Sequence, residues 1–221
     1  MYYLAEIKYK NKIFNVVSSY DFLKDNFQII TLEKLFKNYY GKSLHESIWN
    51  IHSVKDRLQY IVNNVIKITG LKDFGKYMNI VLTIDALFLN EDRHTHNLAV
   101  LMNENGEFDY CPIFDNGAGL LADILYDYQM DEDVYKLINS VKSKTISLDF
   151  DEALNASEIL YGNNIYFNFT KNDIDSILGI DFEGEIKSID DNPIAIYPLE
   201  YRKRVIIILL EQMRKYSYLF N

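Results

Sequence analysis

Asn90-Glu91-Asp92-Arg93-His94-Thr95-His96-Asn97, followed further on by Phe114-Asp115-Asn116-Gly117, is the stretch whose reading decides the fold. Three acceptor side chains mark it: Asp92, Asn97 and Asp115. Between the last two, Leu98 to Met102 is an apolar run, Asn103-Glu104-Asn105-Gly106 carries turn chemistry, and Phe108 to Phe114 alternates as a returning strand. With Asn105-Gly106 as a two-residue turn, Val100 pairs with Cys111 and Asn97 faces Phe114, which brings Asn97 beside Asp115.

An Asn carbonyl and an Asp carboxylate side by side at a hairpin mouth suit a hard divalent cation, which keeps waters and shares phosphate oxygens as its remaining ligands. Asp92, on the loop that feeds the hairpin, can accept a hydroxyl proton while that cation neutralises phosphate charge. This is the division of labour in kinases, with a loop Asp as base and a nearby Asn and an Asp-x-Gly Asp as metal ligands. Asp and Asn are common turn residues, and each taken singly reads as loop. Their joint spacing points to a site.

Upstream, Asp73 to Leu89 has the apolar spacing of a buried helix, with Tyr77, Val81, Ile84 and Phe88 on one face. It delivers the chain directly to Asp92. Asp85 on that helix needs partners if buried and reads, with Arg93, as structural support for the loop. His94 and His96 flank Thr95; His94 reads as a loop organiser, the competing reading being a His-x-His metal pair. Gly117 and Gly119 lack the frame of a phosphate-cradling fingerprint and are expected to let the backbone turn tightly beside the site.

Further out, residues 2 to 18 read as a hairpin turning at Lys10-Asn11-Lys12. Helices follow: one capped by Thr31 and stopped by Gly41, one over Ser43 to Ile51, and one capped by Ser53 and stopped by Gly70. Beyond the site, helices are expected over Asp131 to Val141, over Asp149 to Leu160, after Thr170, and from Pro198 to about Tyr218. Ile165 to Phe169 reads as a strand and Asp181 to Asn192 as a loop. Arg202-Lys203-Arg204 reads as a solvated helix face.

The chain has 221 residues, enough for a sizeable core, and 48% hydrophobic content excludes bulk disorder. A net charge of −9 argues against direct nucleic-acid binding, which clustered Lys and Arg carry. The single cysteine, Cys111, excludes an internal disulfide and reads as a small buried side chain. No apolar run has the length of a membrane span, and MYYLAEIKYK lacks the apolar core of a signal peptide, so a cytoplasmic protein is expected.

The run Asp85 to Asn97, with Phe114-Asp115-Asn116-Gly117 beyond the hairpin, resembles the catalytic core of HipA-like serine/threonine kinases, in their C-terminal domain. The resemblance implies a mainly α (α+β) fold: a protein-kinase-like helical C-lobe over residues 20–221, and a residual N-lobe hairpin and hinge over residues 1–19. It implies Asp92 as catalytic base and Asn97 and Asp115 as ligands of Mg2+. It places ATP against His94, His96 and Phe114, with Val17, Ser18 and Ser19 as the hinge that meets adenine. It implies a protein substrate, translation enzymes among the family's targets, and an antitoxin as partner.

This sequence departs from the family in one respect. Upstream of Asp92 the only glycines are Gly41, Gly70 and Gly75, so the Gly-rich loop of the N-lobe is absent. Ala5-Glu6-Ile7-Lys8 only superficially resembles the strand carrying the phosphate lysine, and Lys8 reads as an ordinary edge-strand charge. Three explanations stay open: a C-lobe completed by a separate N-lobe polypeptide, a degenerate kinase acting as a partner-binding module of toxin-antitoxin or regulatory type, and a minimal enzyme. Because phosphoryl transfer is almost wholly positioning and charge stabilisation, weak or no activity is expected of the chain alone. A metal-dependent phosphohydrolase using Asp92, His94, His96 and Asp115 is a further alternative.

Overall fold

A computed structural model describes residues 2–23, 26–179 and 198–221. The chain opens with an antiparallel hairpin, β1 (Tyr2–Tyr9) and β2 (Lys12–Ser19), turning on Lys10 and Asn11, both in the left-handed region. A second, three-stranded antiparallel sheet has the order β3-β4-β5, formed by Phe27–Thr31, Ala99–Asn103 and Phe108–Tyr110. Around it lie α1 (Leu32–Tyr40), α2 (Leu44–Trp49), α3 (Val54–Thr69) and α4 (Phe74–Phe88). Then follow α5 (Val134–Ser140), α6 (Phe150–Tyr161), α7 (Lys171–Asp175) and α8 (Pro198–Lys215). The architecture is mainly α, as expected.

Local chemistry sets the helix ends. Thr31, Ser43, Ser53, Asp133, Asp149 and Thr170 each cap a helix by accepting from a first-turn N–H. Gly41 and Gly70 end α1 and α3 in the left-handed conformation. The largest buried cluster joins α1, α2, α3 and the first half of α4, with Leu32, Phe36, Leu58, Phe74 and Met78 all shut off from solvent. A second cluster gathers Ala86 and Leu87 of α4 with Leu154 of α6 and Ile208 of α8. α4 therefore runs through both, buried at Met78, Val81, Leu82, Asp85, Ala86 and Leu87. Helix burial of this kind anchors whatever loop α4 feeds. Among the described residues, no helix is long and apolar enough to cross a membrane.

Several expectations need correction. The site hairpin is shifted by one residue: Val100 pairs with Tyr110, not Cys111. The loop has three residues, with Gly106 left-handed at φ 77° and the Asn103 side chain accepting from the Asn105 and Glu107 N–H groups. That side-chain bracket favours a bulged three-residue turn over a two-residue one. β3, which pairs along the whole of β4, was not foreseen, because its signal runs straight into the Thr31 cap.

Ile165 to Phe169 forms no strand; a single parallel bridge joins Phe167 to Phe220. Arg204 is not on a solvated face. It is buried and donates to the carbonyls of Tyr128 (2.6 Å) and Gln129 (2.7 Å). Neither Gly117 nor Gly119 takes the left-handed turn; Asp115, Leu120 and Leu121 do. Gly119 instead permits close approach, since a Cβ there would stand 3.1 Å from the Phe88 carbonyl. The predicted loop over 181–192 lies outside the described residues.

Candidate active site

α4 ends at Leu89, a left-handed residue whose N–H donates to the Asp85 carbonyl. The chain then folds into a tight loop. His94 N donates to the Asp92 carbonyl and Asn97 N to the His94 carbonyl, both at 2.9 Å. The Asn97 amide nitrogen also donates to the Asp92 carbonyl at 2.9 Å. The amide nitrogen is thus engaged inside the loop, and Oδ1 remains the acceptor end of the side chain.

Arg93 is the hub. It is wholly buried, and its guanidinium bonds Asp85 through Nε (3.1 Å) and Nη2 (3.1 Å). Nη1 donates to the carbonyls of Asn97 (3.2 Å) and Phe114 (2.5 Å), and Nη2 also donates to Asn116 Oδ1. One nitrogen bonding both carbonyls makes Asn97 and Phe114 neighbours, with Asp115 next along the chain. A buried guanidinium, not the strand register, thus ties the backbone of Asn97 to that of Phe114. Asp85 completes its shell with the Asn90 amide at 2.9 Å. Burial pushes the Asp85 carboxyl above its usual range, and the Arg93 charge and hydrogen bonds pull it part of the way back.

Asp92 is partly exposed and flanked by an imidazole and an ammonium. His94 Nε2 stands 3.7 Å from Oδ2 and Lys144 Nζ 3.6 Å from Oδ1. His94 Nδ1 accepts from His96 N at 3.2 Å, and the two rings meet edge to face at 5.6 Å. Asp115 is exposed and left-handed at φ 54°. Phe114 packs on the small cluster of Ala99, Leu101 and Cys111. Cys111 is buried, which raises its thiol to about 11. Leu89, Asp115, Leu120 and Leu121 are all non-glycine residues at positive φ, and such strain concentrates where function over-determines the backbone. Val17, Ser18 and Ser19 end β2, opposite Tyr2 to Leu4, in a sheet separate from the one that carries the site.

Three contributors were not foreseen. Glu33 on α1 ties the site to two helices: Oε1 accepts from Leu44 N (3.1 Å), and Oε2 from His45 N (3.0 Å) and Thr95 Oγ1 (2.9 Å). The N–H groups of Leu32 and Glu33, orphans of the first turn of α1, donate to the carbonyls of Leu98 and Thr95. Burial raises the Glu33 carboxyl, but hydrogen bonds from Ser43, His45, Thr95 and Leu44 outweigh it and lower it overall. Asn116 could have been suspected from its place in Asp-Asn-Gly. Lys144 and Glu33 carry no local signal, since their partners are distant in sequence. Beside the loop, a cleft of about 780 Å³ is lined by residues that include Glu33, Trp49, His94, His96 and Lys144.

The donor set can be tested against candidate metals. Among the described residues, no three His, Cys, Asp or Glu side chains come together as a metal-binding group. That does not suit the four-ligand set of a phosphohydrolase. The side-chain oxygens of Asn97 and Asp115 are the hard donors that Mg2+ would take, since it is held by one or two protein oxygens together with waters and substrate phosphates.

No family model matches the sequence, and no curated protein matches it. The fold is similar to that in the crystal structure of a Helicobacter pylori proinflammatory kinase, CtkA, at 20% identity, with 97% of this chain and 71% of that chain covered and a TM-score of 0.58. The fold is kinase-like.

Proposed function

We propose that this chain is a HipA-like, ATP- and Mg2+-dependent serine/threonine kinase domain that transfers a phosphoryl group to a protein hydroxyl. The observation that carries the reading is the Arg93 hub, which draws the backbone of Asn97 and Phe114 together beside Asp92. A kinase-like fold around that hub adds support. In this reading Asp92 takes the hydroxyl proton, and Asn97 and Asp115 hold Mg2+, which supplies charge neutralisation on the phosphates. His94, His96 and Phe114 border the nucleotide, and Val17 to Ser19 meet the adenine. Asp85 and Arg93 hold the loop in register.

The chain alone transfers phosphate weakly in this reading, because no Gly-rich loop precedes Asp92. A separate N-lobe protein would complete it. The resemblance also brings a translation enzyme as substrate and an antitoxin as partner. The absent glycines equally favour a second reading, a degenerate kinase that binds a partner without catalysis.

Calorimetric titration with ATP and Mg2+ separates the two. The kinase reading expects binding that is lost in Asp115→Ala and kept in Asp92→Asn, with Asp92→Asn abolishing what transfer there is. Absence of binding at millimolar ATP would sink it in favour of the partner-binding module. Vigorous phosphorylation by the purified chain, lost in Asp92→Asn, would instead overturn the requirement for a completing lobe.

A further inference from the structure

We propose that Lys144, on the loop between α5 and α6, grips the terminal phosphate of the nucleotide. This inference rests on the kinase reading of the Asp92 site.

The first argument is what surrounds Asp92. Among the described residues, three basic side chains lie close to it in the chain or in space: Arg93, His94 and Lys144. Arg93 is buried with its donors committed to Asp85, Asn97, Phe114 and Asn116. His94 is turned into the loop through Nδ1. Lys144 carries donors that no short hydrogen bond among the described residues engages, whereas His94 has only Nε2 left, 3.7 Å from Asp92 Oδ2. Lys144 Nζ stands 3.6 Å from Asp92 Oδ1, beyond hydrogen-bond length. An ammonium has three donors, so this one can face Asp92 and a phosphate together.

The second argument is how Lys144 is held. A half-exposed pair at this separation adds little to stability, yet the loop that presents it is heavily braced. Ser143, Thr145, Ile146 and Ser147 are all buried, and Lys144 between them is exposed. Arg57 Nη1 donates to the Ile146 carbonyl at 2.8 Å, Ser143 N donates to the Leu148 carbonyl at 3.1 Å, and Asp149 N donates to Ser147 Oγ at 3.0 Å. A loop fastened on both sides of one exposed lysine fixes where that lysine stands. The charge it meets there is the one that phosphoryl transfer places next to the catalytic base, spread over the oxygens of the transferred group.

The test compares ATP with ADP, each with Mg2+, by calorimetric titration of the full chain and of Lys144→Met and Lys144→Arg. A lysine on the terminal phosphate gives ATP the tighter binding. Lys144→Met then weakens ATP about tenfold, leaves ADP unchanged, and so erases the preference; Lys144→Arg preserves it. Because Lys144 is exposed, thermal unfolding of both variants stays at the parent value, which separates a lost contact from a lost fold. A Lys144→Met protein that keeps the parent's preference for ATP refutes the role of Lys144 while leaving the kinase reading standing. A parent chain that binds neither nucleotide removes the kinase reading, and this inference with it.

Discussion

Arg93 has five N–H donors, and all are engaged: Nε is shared between both Asp85 oxygens, Nη2 donates to Asp85 and Asn116, and Nη1 to the carbonyls of Asn97 and Phe114. Full satisfaction is what makes a buried guanidinium tolerable, and its flat fork is what lets one side chain reach four residues. Lysine has the same charge but three donors and no fork. Arg93→Lys should therefore leave buried acceptors unpaired and lower stability by about 3 kcal/mol, read as a shift in the urea midpoint at unchanged slope. The variant should also lose Mg-ATP binding under conditions where it is folded, because the Asn97 and Phe114 carbonyls are no longer drawn together. Parent-like stability in Arg93→Lys would show that the hub is not what holds the loop. At this scale the sequence pointed to Asp85 and Arg93 by type and spacing, and the structure pairs the two in the core. It was less informative about how Asn97 and Phe114 meet, because hairpin register was asked to do what a buried arginine does.

Elements meet the site through Glu33, which bonds the first N–H groups of α2 and the Thr95 hydroxyl from the first turn of α1. An anion there is favoured twice, by its hydrogen bonds and by the positive end of α2. Its folded pKa lies below the ordinary 4.5, so the folded state prefers the carboxylate. The stabilisation is complete above 4.5 and is lost as pH falls through the lowered folded value. Glu33→Gln cannot titrate. The stability gap between parent and variant should be about 1 kcal/mol near neutral pH and should close as the pH drops below 4.5. A gap that is constant across that range would exclude the carboxylate charge as the source. The caps of α1, α2 and α3 were legible because Thr31, Ser43 and Ser53 act on N–H groups a few residues away. Glu33 and Lys144 were not, for their partners at Thr95 and Asp92 become neighbours only after the helices pack. β3 escaped for a related reason: Phe27 to Thr31 becomes a strand by pairing with β4, and its last residue is also the cap of α1.

For the whole molecule, the proposed function gives residues 1–19 a role of their own, as the hairpin and hinge that meet the nucleotide. β1 and β2 pair with each other in a sheet of their own. The site loop is held by α4, α1 and Arg93, none of which belongs to the first hairpin. A two-stranded hairpin is at best marginally stable by itself in water, so the helical body has little to lose when it is removed. Deleting residues 1–19 should leave a protein that still unfolds cooperatively, with a stability change of about 1 kcal/mol or less. The hairpin's contribution should appear in nucleotide binding, because Val17 to Ser19 are the proposed adenine contact. The shortened chain should bind Mg-ATP at least about tenfold more weakly, while inorganic triphosphate, which has no base to read, should bind both forms equally. Loss of the cooperative transition on deletion would show that the hairpin is part of the folding unit, and equal ATP affinity in the two forms would place the adenine site elsewhere.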